Sequence, residues 1–144
     1  MIRQLNISLD EYRTARNALI SLLSSTRGSN FFVRYYLEAI RHFETCVLSC
    51  HHAICAYERL EKLMSVPLII NRHFPTVRLA ANRIKHFDED IAKVAAPPPS
   101  PIWLTNTGLR TLVGDLSFFA LSDIYDDLID ASEFMASAPP SEKD

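Results

Sequence analysis

The sequence predicts a mainly α protein: an up-and-down bundle of about four helices, with a small antiparallel β meander before the C-terminal helix. Three observations carry this expectation. Apolar residues recur at helical spacing through long stretches of the first half. Glycine is scarce, three in 144 residues, which argues against an all-β fold full of tight turns and against a glycine-rich phosphate loop. After the proline-rich "AAPPPSP", the pattern changes to short apolar runs separated by turn-forming residues.

Ser8 followed three residues later by Glu11 spells a capping box, and Ile7 before it can staple onto Tyr12. This predicts a first helix that starts at Ser8 and stops at "TRGSN", where Gly28 suits a left-handed terminal residue. The second helix is expected from about Phe31 to Met64. Along it Tyr36, Ile40, Phe43, Val47, Cys50, Ile54 and Tyr57 alternate by four and three, the pattern of a packed bundle seam. "SVPLIINRHFP" breaks the chain through Pro67 and Pro75, and a third helix is expected from about Thr76 to Val94. "IWLT", "LRTLV" and "LSFFAL" read as the three strands, separated by "NTG" and "GD". Ser122 then suits the N-cap of a final helix, about Asp123 to Ala136, whose first acids Asp123, Asp126 and Asp127 favour its positive end. The whole reads as one domain over 1–136, with a stiff linker at 95–101 inside it and a disordered tail at 137–144.

Net charge is −2, so the chain as a whole is no polyanion magnet. The charge is uneven, however. From Lys62 to Phe87 there are five Lys or Arg and no acid, whereas from Asp115 to Asp144 there are eight acids and one Lys. A basic middle beside an acidic end suits a local anion site or self-association of opposite patches. No apolar run reaches the roughly 18–20 residues that span a bilayer. "MIRQLNISLDEY" lacks the charged-then-apolar layout of a secretory signal. Cys46, Cys50 and Cys55 are odd in number and crowded, so they form no disulfide framework, and a reducing cytoplasm is the expected location.

Two stretches carry candidate chemistry. On the second helix lie Glu44, Cys46, Cys50, His51, His52, Cys55 and Glu58. Glu44, His51 and Glu58 share one stripe, and His51 with Cys55 is an i, i+4 pair close enough to share a metal. There is no Glu-x-x-His repeat and no H-E-x-x-H motif, and cysteine on a packed helix face behaves as a small hydrophobe, so no metal or other cofactor is expected. On the third helix is "AANRIKHFDEDI". Projected at 100° per residue, Val77, Ala80, Ile84, Phe87, Ile91 and Val94 form the core stripe, and Asn82 with His86 lies away from it. Arg78 and Lys85 fall between that pair and one edge of the stripe, and Arg83 falls on the other edge. An amide, an imidazole and guanidinium groups on one ridge can hold a phosphodiester and move its proton. Asp88, Glu89 and Asp90 follow, suited to pairing with cations of a partner subunit.

The run "NRIKHFDEDI", preceded by a long helix that begins "YYLEAIRHFETCV", resembles the HEPN superfamily of small prokaryotic helical bundles. The resemblance covers roughly Ser8 to Val94 and is concentrated in one short motif, an Arg often followed by Asn, with a His four to six residues beyond the Arg. It implies a homodimer whose motif helices face each other across a cleft. In active members the motif cuts RNA without a metal: the 2′-hydroxyl attacks the adjacent phosphate, the His shuttles a proton and the Arg steadies the charge. Asn82 matches the motif Asn and His86 the motif His, whereas Ala81 stands where the motif has its Arg. Arg78 is the displaced stand-in, eight residues before His86.

The resemblance implies His86, Asn82 and Arg78 as catalytic residues of a metal-independent endoribonuclease, with Arg83, Lys85 and Arg72 binding RNA or nucleotide. Reactions of this kind tolerate little misplacement of their groups, so the absent Arg favours a non-catalytic member. The alternative is a dimeric interaction module of the toxin–antitoxin partner type, whose ridge meets its own copy or a protein partner.

Overall fold

The computed structural model describes residues 1–64, 71–87, 101–111 and 114–137. They form helices α1 (Ile2–Ser24), α2 (Asn30–Met64) and α3 (Phe74–Lys85), strands β1 (Ile102–Leu104), β2 (Gly108–Thr111) and β3 (Gly114–Ser117), and helix α4 (Phe118–Ser137). The architecture is the expected one, mainly α, with a small antiparallel sheet immediately before the last helix. Several expectations lie outside the described residues: the break at Pro67, the continuation of the third helix through Asp88, Glu89, Asp90, Ile91 and Val94, the linker up to residue 100, the last two residues of "LRTLV", and the tail at 138–144.

α1 and α2 form an antiparallel hairpin. Gly28 takes the left-handed conformation at φ 84°, and Ser29 Oγ accepts the backbone N–H of Phe32 at 3.1 Å, capping α2. The expected seam of α2 is the core of the molecule. Ile40, Phe43, Val47, Cys50, Ile54 and Tyr57 are all buried, and Tyr36 packs against them partly buried. Tyr12 of α1 and Phe118 of α4 meet this seam through ring contacts with Phe43 at centroid distances of 6.0 and 5.4 Å.

The start of α1 departs from expectation. The helix begins at Ile2, because Leu5 is buried and ties the first turn into the core. Ser8 is therefore mid-helix and fully buried, and it caps nothing. Its hydroxyl donates to Cys46 O at 2.8 Å and lies 2.7 Å from Tyr125 Oη, which is 3.0 Å from Cys46 Sγ. Since Ser8 has one proton and spends it on Cys46 O, Tyr125 donates to Ser8 Oγ and the Cys46 thiol donates to Tyr125 Oη. A closed ring of hydrogen bonds thus joins α1, α2 and α4 in an apolar interior, where each donor would be costly unpaired.

α3 starts at Phe74, earlier than expected, because Pro75 sits in the first turn, where its missing N–H is not needed. Its buried face is Phe74, Val77, Ala80 and Ala81, with Ile84 partly buried. Relative to the projection, the core stripe is rotated toward Ala81.

The sheet order is β1-β2-β3. Ile102 pairs with Thr111, and Leu109 with Leu116; Ile102, Leu109 and Leu116 face the core. On the outer face Arg110 Nε bonds Asp115 Oδ1 at 3.0 Å. Gly108 is required by close approach, since a Cβ there would lie 2.3 Å from Leu116 O. The third strand is displaced from expectation: Gly114 and Asp115, expected as the turn, are paired with Thr111 and Arg110 inside β3, and Phe118 to Leu121 of the expected strand are helical. Ser117 Oγ accepts the N–H of Ala120 at 3.0 Å, so α4 starts at Phe118 and Ser122 lies within it. Asp123, Asp126 and Asp127 consequently sit beyond the first turn. In place of the expected role at the helix dipole, Asp123 and Asp127 accept hydrogen bonds from Asn71, ahead of α3.

Candidate functional site

The α3 ridge ends sooner than a long helix would allow. His86 is the C-cap of α3, at φ −109° and ψ 21°, and its backbone N–H donates to Asn82 O at 3.1 Å. Asn82, Lys85 and His86 are exposed, and Arg83 is half-buried. Arg83 and Lys85 occupy the last turn, where cations complement the negative end of the helix dipole. The exposed charge of Lys85 is what a phosphate would meet.

Arg78 is brought to a different task. Its guanidinium is hydrogen-bonded to the Glu58 carboxylate of α2, both side chains being only partly exposed. Its Nε is buried without a hydrogen-bond partner among the described residues. The stand-in arginine is therefore spent on holding α3 to α2. Ala81, at the motif arginine's position, is fully buried. An arginine there would point into the core and away from Asn82 and His86.

Arg72 lies before the start of α3, about 20 Å along the helix axis from His86 at the usual rise per residue. It is exposed, and its Nε donates to His73 Nε2 at 3.2 Å. The structure does not bring it to the ridge.

The polar cluster of α2 is divided between two faces. Cys46 and Cys50 are in the core. Burial pushes the Cys46 thiol up to about 11, only partly offset by the Tyr125 and Ser8 hydroxyls, which could turn to donate to a thiolate. Burial raises Cys50 further, assisted by the nearby Cys46. His51 lies toward Lys85 and Arg78 of α3. Cys55 Sγ is 3.7 Å from its Nε2 and 3.8 Å from its Nδ1, and Cys55 also lines a surface cavity with Met1, His52 and Arg59. Among the described residues no group of three or more His, Cys, Asp or Glu could hold a metal ion.

His51 is the link between the two stretches that the sequence presents separately. Burial lowers its pKa from 6.5, and the charges of Lys85, His52 and Arg78 lower it further, while Glu58 alone raises it. Its neutral form is thus favoured in the fold. As pH falls through 6.5 the unfolded chain takes the proton first, so His51 makes the fold less stable in acid and has no such effect well above 6.5.

A second polar cluster joins the start of α3 to α4. Asn71 is buried, and its Nδ2 donates to Asp123 Oδ2 at 3.1 Å and to Asp127 Oδ2 at 2.6 Å. Its Oδ1 accepts the N–H of His73 at 2.8 Å, and His73 Nε2 lies 3.8 Å from Asp123 Oδ2. The i, i+4 spacing of Asp123 and Asp127 was the visible signal for this pair, but nothing in the sequence pointed to Asn71 as its partner.

Beside the end of α3 is a cavity of about 430 Å³, lined by Tyr36, Ile40, Ile84, Phe87 and Trp103, with Arg41 and Glu44 also contributing. No helix among the described residues is long and apolar enough to cross a membrane. Compared with protein-family models, curated proteins and solved structures, the chain matches none.

Proposed function

We propose that the chain is a non-catalytic, HEPN-like module that binds RNA or nucleotide phosphate along the exposed ridge of α3. The observation that carries this is the engagement of Arg78 by Glu58. The ridge carries an amide and an imidazole beside the exposed cation Lys85, groups of the kind that hold a phosphate, but the arginine nearest to a catalytic role is held by Glu58. The adjoining cavity adds Tyr36, Phe87 and Trp103, side chains of the type on which unpaired bases stack.

Single-stranded RNA should bind in a salt-dependent manner. Lys85→Gln should lower the slope of log affinity against log salt by about one, the effect of losing one phosphate contact. With protein and RNA near equal concentration and a chelator present, the RNA should remain intact. Cleavage that leaves a cyclic phosphate, and that His86→Ala abolishes, would overturn the non-catalytic reading.

A second reading is a dimeric interaction module whose interface lies at the α1–α2 connection and not at the α3 ridge that the sequence suggests, and one feature favours it. Ile20, Leu23, Phe31, Val33 and Leu37 are all exposed near the α1–α2 connection, and Leu23 reaches 85%. An apolar set of this kind suits self-association. Sedimentation is expected to give a dimer that Leu23→Glu with Phe31→Glu converts to monomer. A wild-type monomer at every accessible concentration would count against it.

A further inference from the structure

We propose that the α2–α3 interface is a proton-linked phosphate site, in which Lys85 and Asn82 of α3 hold one phosphate of a polyanion and His51 of α2 joins them by taking a proton from solvent. The proposal rests on the phosphate-binding reading above. It adds a second helix to the site and a pH dependence to its affinity.

The placement follows from register. Glu58 and His51 are seven residues apart on α2, and Arg78 and Lys85 are seven apart on α3. Positions seven apart fall on one stripe, two turns from each other. The Arg78–Glu58 contact fixes where the helices cross. Two turns toward the C-terminus of α3 and two turns toward the N-terminus of α2, Lys85 is set opposite His51. Asn82 lies between Arg78 and Lys85 along that side of α3.

The groups around His51 are His52, Cys55 and Glu58 from α2, and Arg78 and Lys85 from α3. Cys55 Sγ, 3.7 Å from the ring, limits where the imidazole can lie. With no anion present, a second positive charge beside Lys85 and Arg78 is disfavoured, and Glu58 is already paired with Arg78. A phosphate against Lys85 reverses that balance, since its negative charge favours the imidazolium. Binding therefore draws a proton onto His51, and by linkage affinity rises as pH falls, by at most about tenfold per pH unit. No covalent bond changes.

Calorimetric titration of the full chain in two buffers of different ionisation enthalpy tests this, with a single-stranded RNA oligonucleotide and, separately, inorganic pyrophosphate. Net proton uptake is expected with both, and His51→Gln should remove it and flatten the pH dependence. In the ligand-free protein, NMR titration of His51 should move upward in Lys85→Gln, an exposed substitution that leaves the fold intact. An unmoved His51 there would overturn the placement. RNA binding with no proton uptake, or with uptake unchanged in His51→Gln, overturns the proton-linked site and leaves the RNA reading standing. Pyrophosphate binding with His51-dependent uptake, but no RNA binding, keeps the site and overturns the RNA reading. Binding of neither ligand overturns both.

Discussion

Ala81→Arg, which restores the arginine of the resembled motif, is expected to unfold the protein and not to make it a ribonuclease. Ala81 has no exposed surface, and its neighbours Val77 and Ala80 belong to the same buried face. A guanidinium there would be charged, large and without a partner. Leaving a charge uncompensated in a core costs about 3–5 kcal/mol, and overpacking costs about 1–3 kcal/mol more. Whole domains of this size are stable by only about 5–15 kcal/mol. The expected result is loss of a cooperative thermal transition. Asn82→Arg is the control: one residue along, on the exposed face, its effect should stay within about 0.5 kcal/mol. An Ala81→Arg protein that melts normally and cleaves RNA would show that α3 is oriented otherwise.

Asn71→Leu should cost about 2–3 kcal/mol in urea denaturation. The substitution keeps the branched shape but removes both donors from Asp123 and Asp127, and the acceptor for the His73 N–H. Hydrogen bonds to charged groups contribute about 1.5–3 kcal/mol each, and the partial exposure of Asp123 lets water replace some of the loss. Because Asn71 ties the start of α3 to α4, amide exchange should quicken most in the first turn of α3. An effect below about 0.5 kcal/mol, with exchange unchanged there, would mean that this cluster does not hold the two elements together.

The elements most legible in the sequence were those whose local signals and tertiary contacts agree. The α2 seam was readable because one face of a long helix is packed along its length, which leaves an unbroken apolar alternation from Tyr36 to Tyr57. The presence of three short strands was readable from the change of pattern after the prolines, but the second boundary was not, since Gly114 and Asp115 spell a turn and are paired in β3. Where two structures share one spelling, the reading failed. Ser8 and Glu11 have the spacing of a capping box, but what decides the role of Ser8 is Tyr125, 117 residues away. Ser117 and Ser122 are both good caps, and the packing of Ala120 and Leu121 selects the first.

The candidate site divides in the same way. The pairing of Asn82 with His86 and the exposure of both follow from helical periodicity. The fate of Arg78 did not, because Glu58 lies twenty residues earlier and on another helix. Nor did the rotation of α3 that buries Ala81, since "AA" is equally at home on either side of a stripe edge. Each helix displays its own spacing of seven in the sequence, but only the crossing of the two sets His51 opposite Lys85.

The hydrogen-bonded ring of Ser8, Cys46 and Tyr125 has a consequence for how the molecule meets thiol reagents. Of the molecule's three cysteine thiols, Cys46 and Cys50 lie behind closed packing, and burial holds both protonated. A bulky alkylating agent thus encounters the native fold as though it carried Cys55 alone. The rate at which the other two become modified is then a stopwatch on the parting of α1, α2 and α4, read without any inserted label.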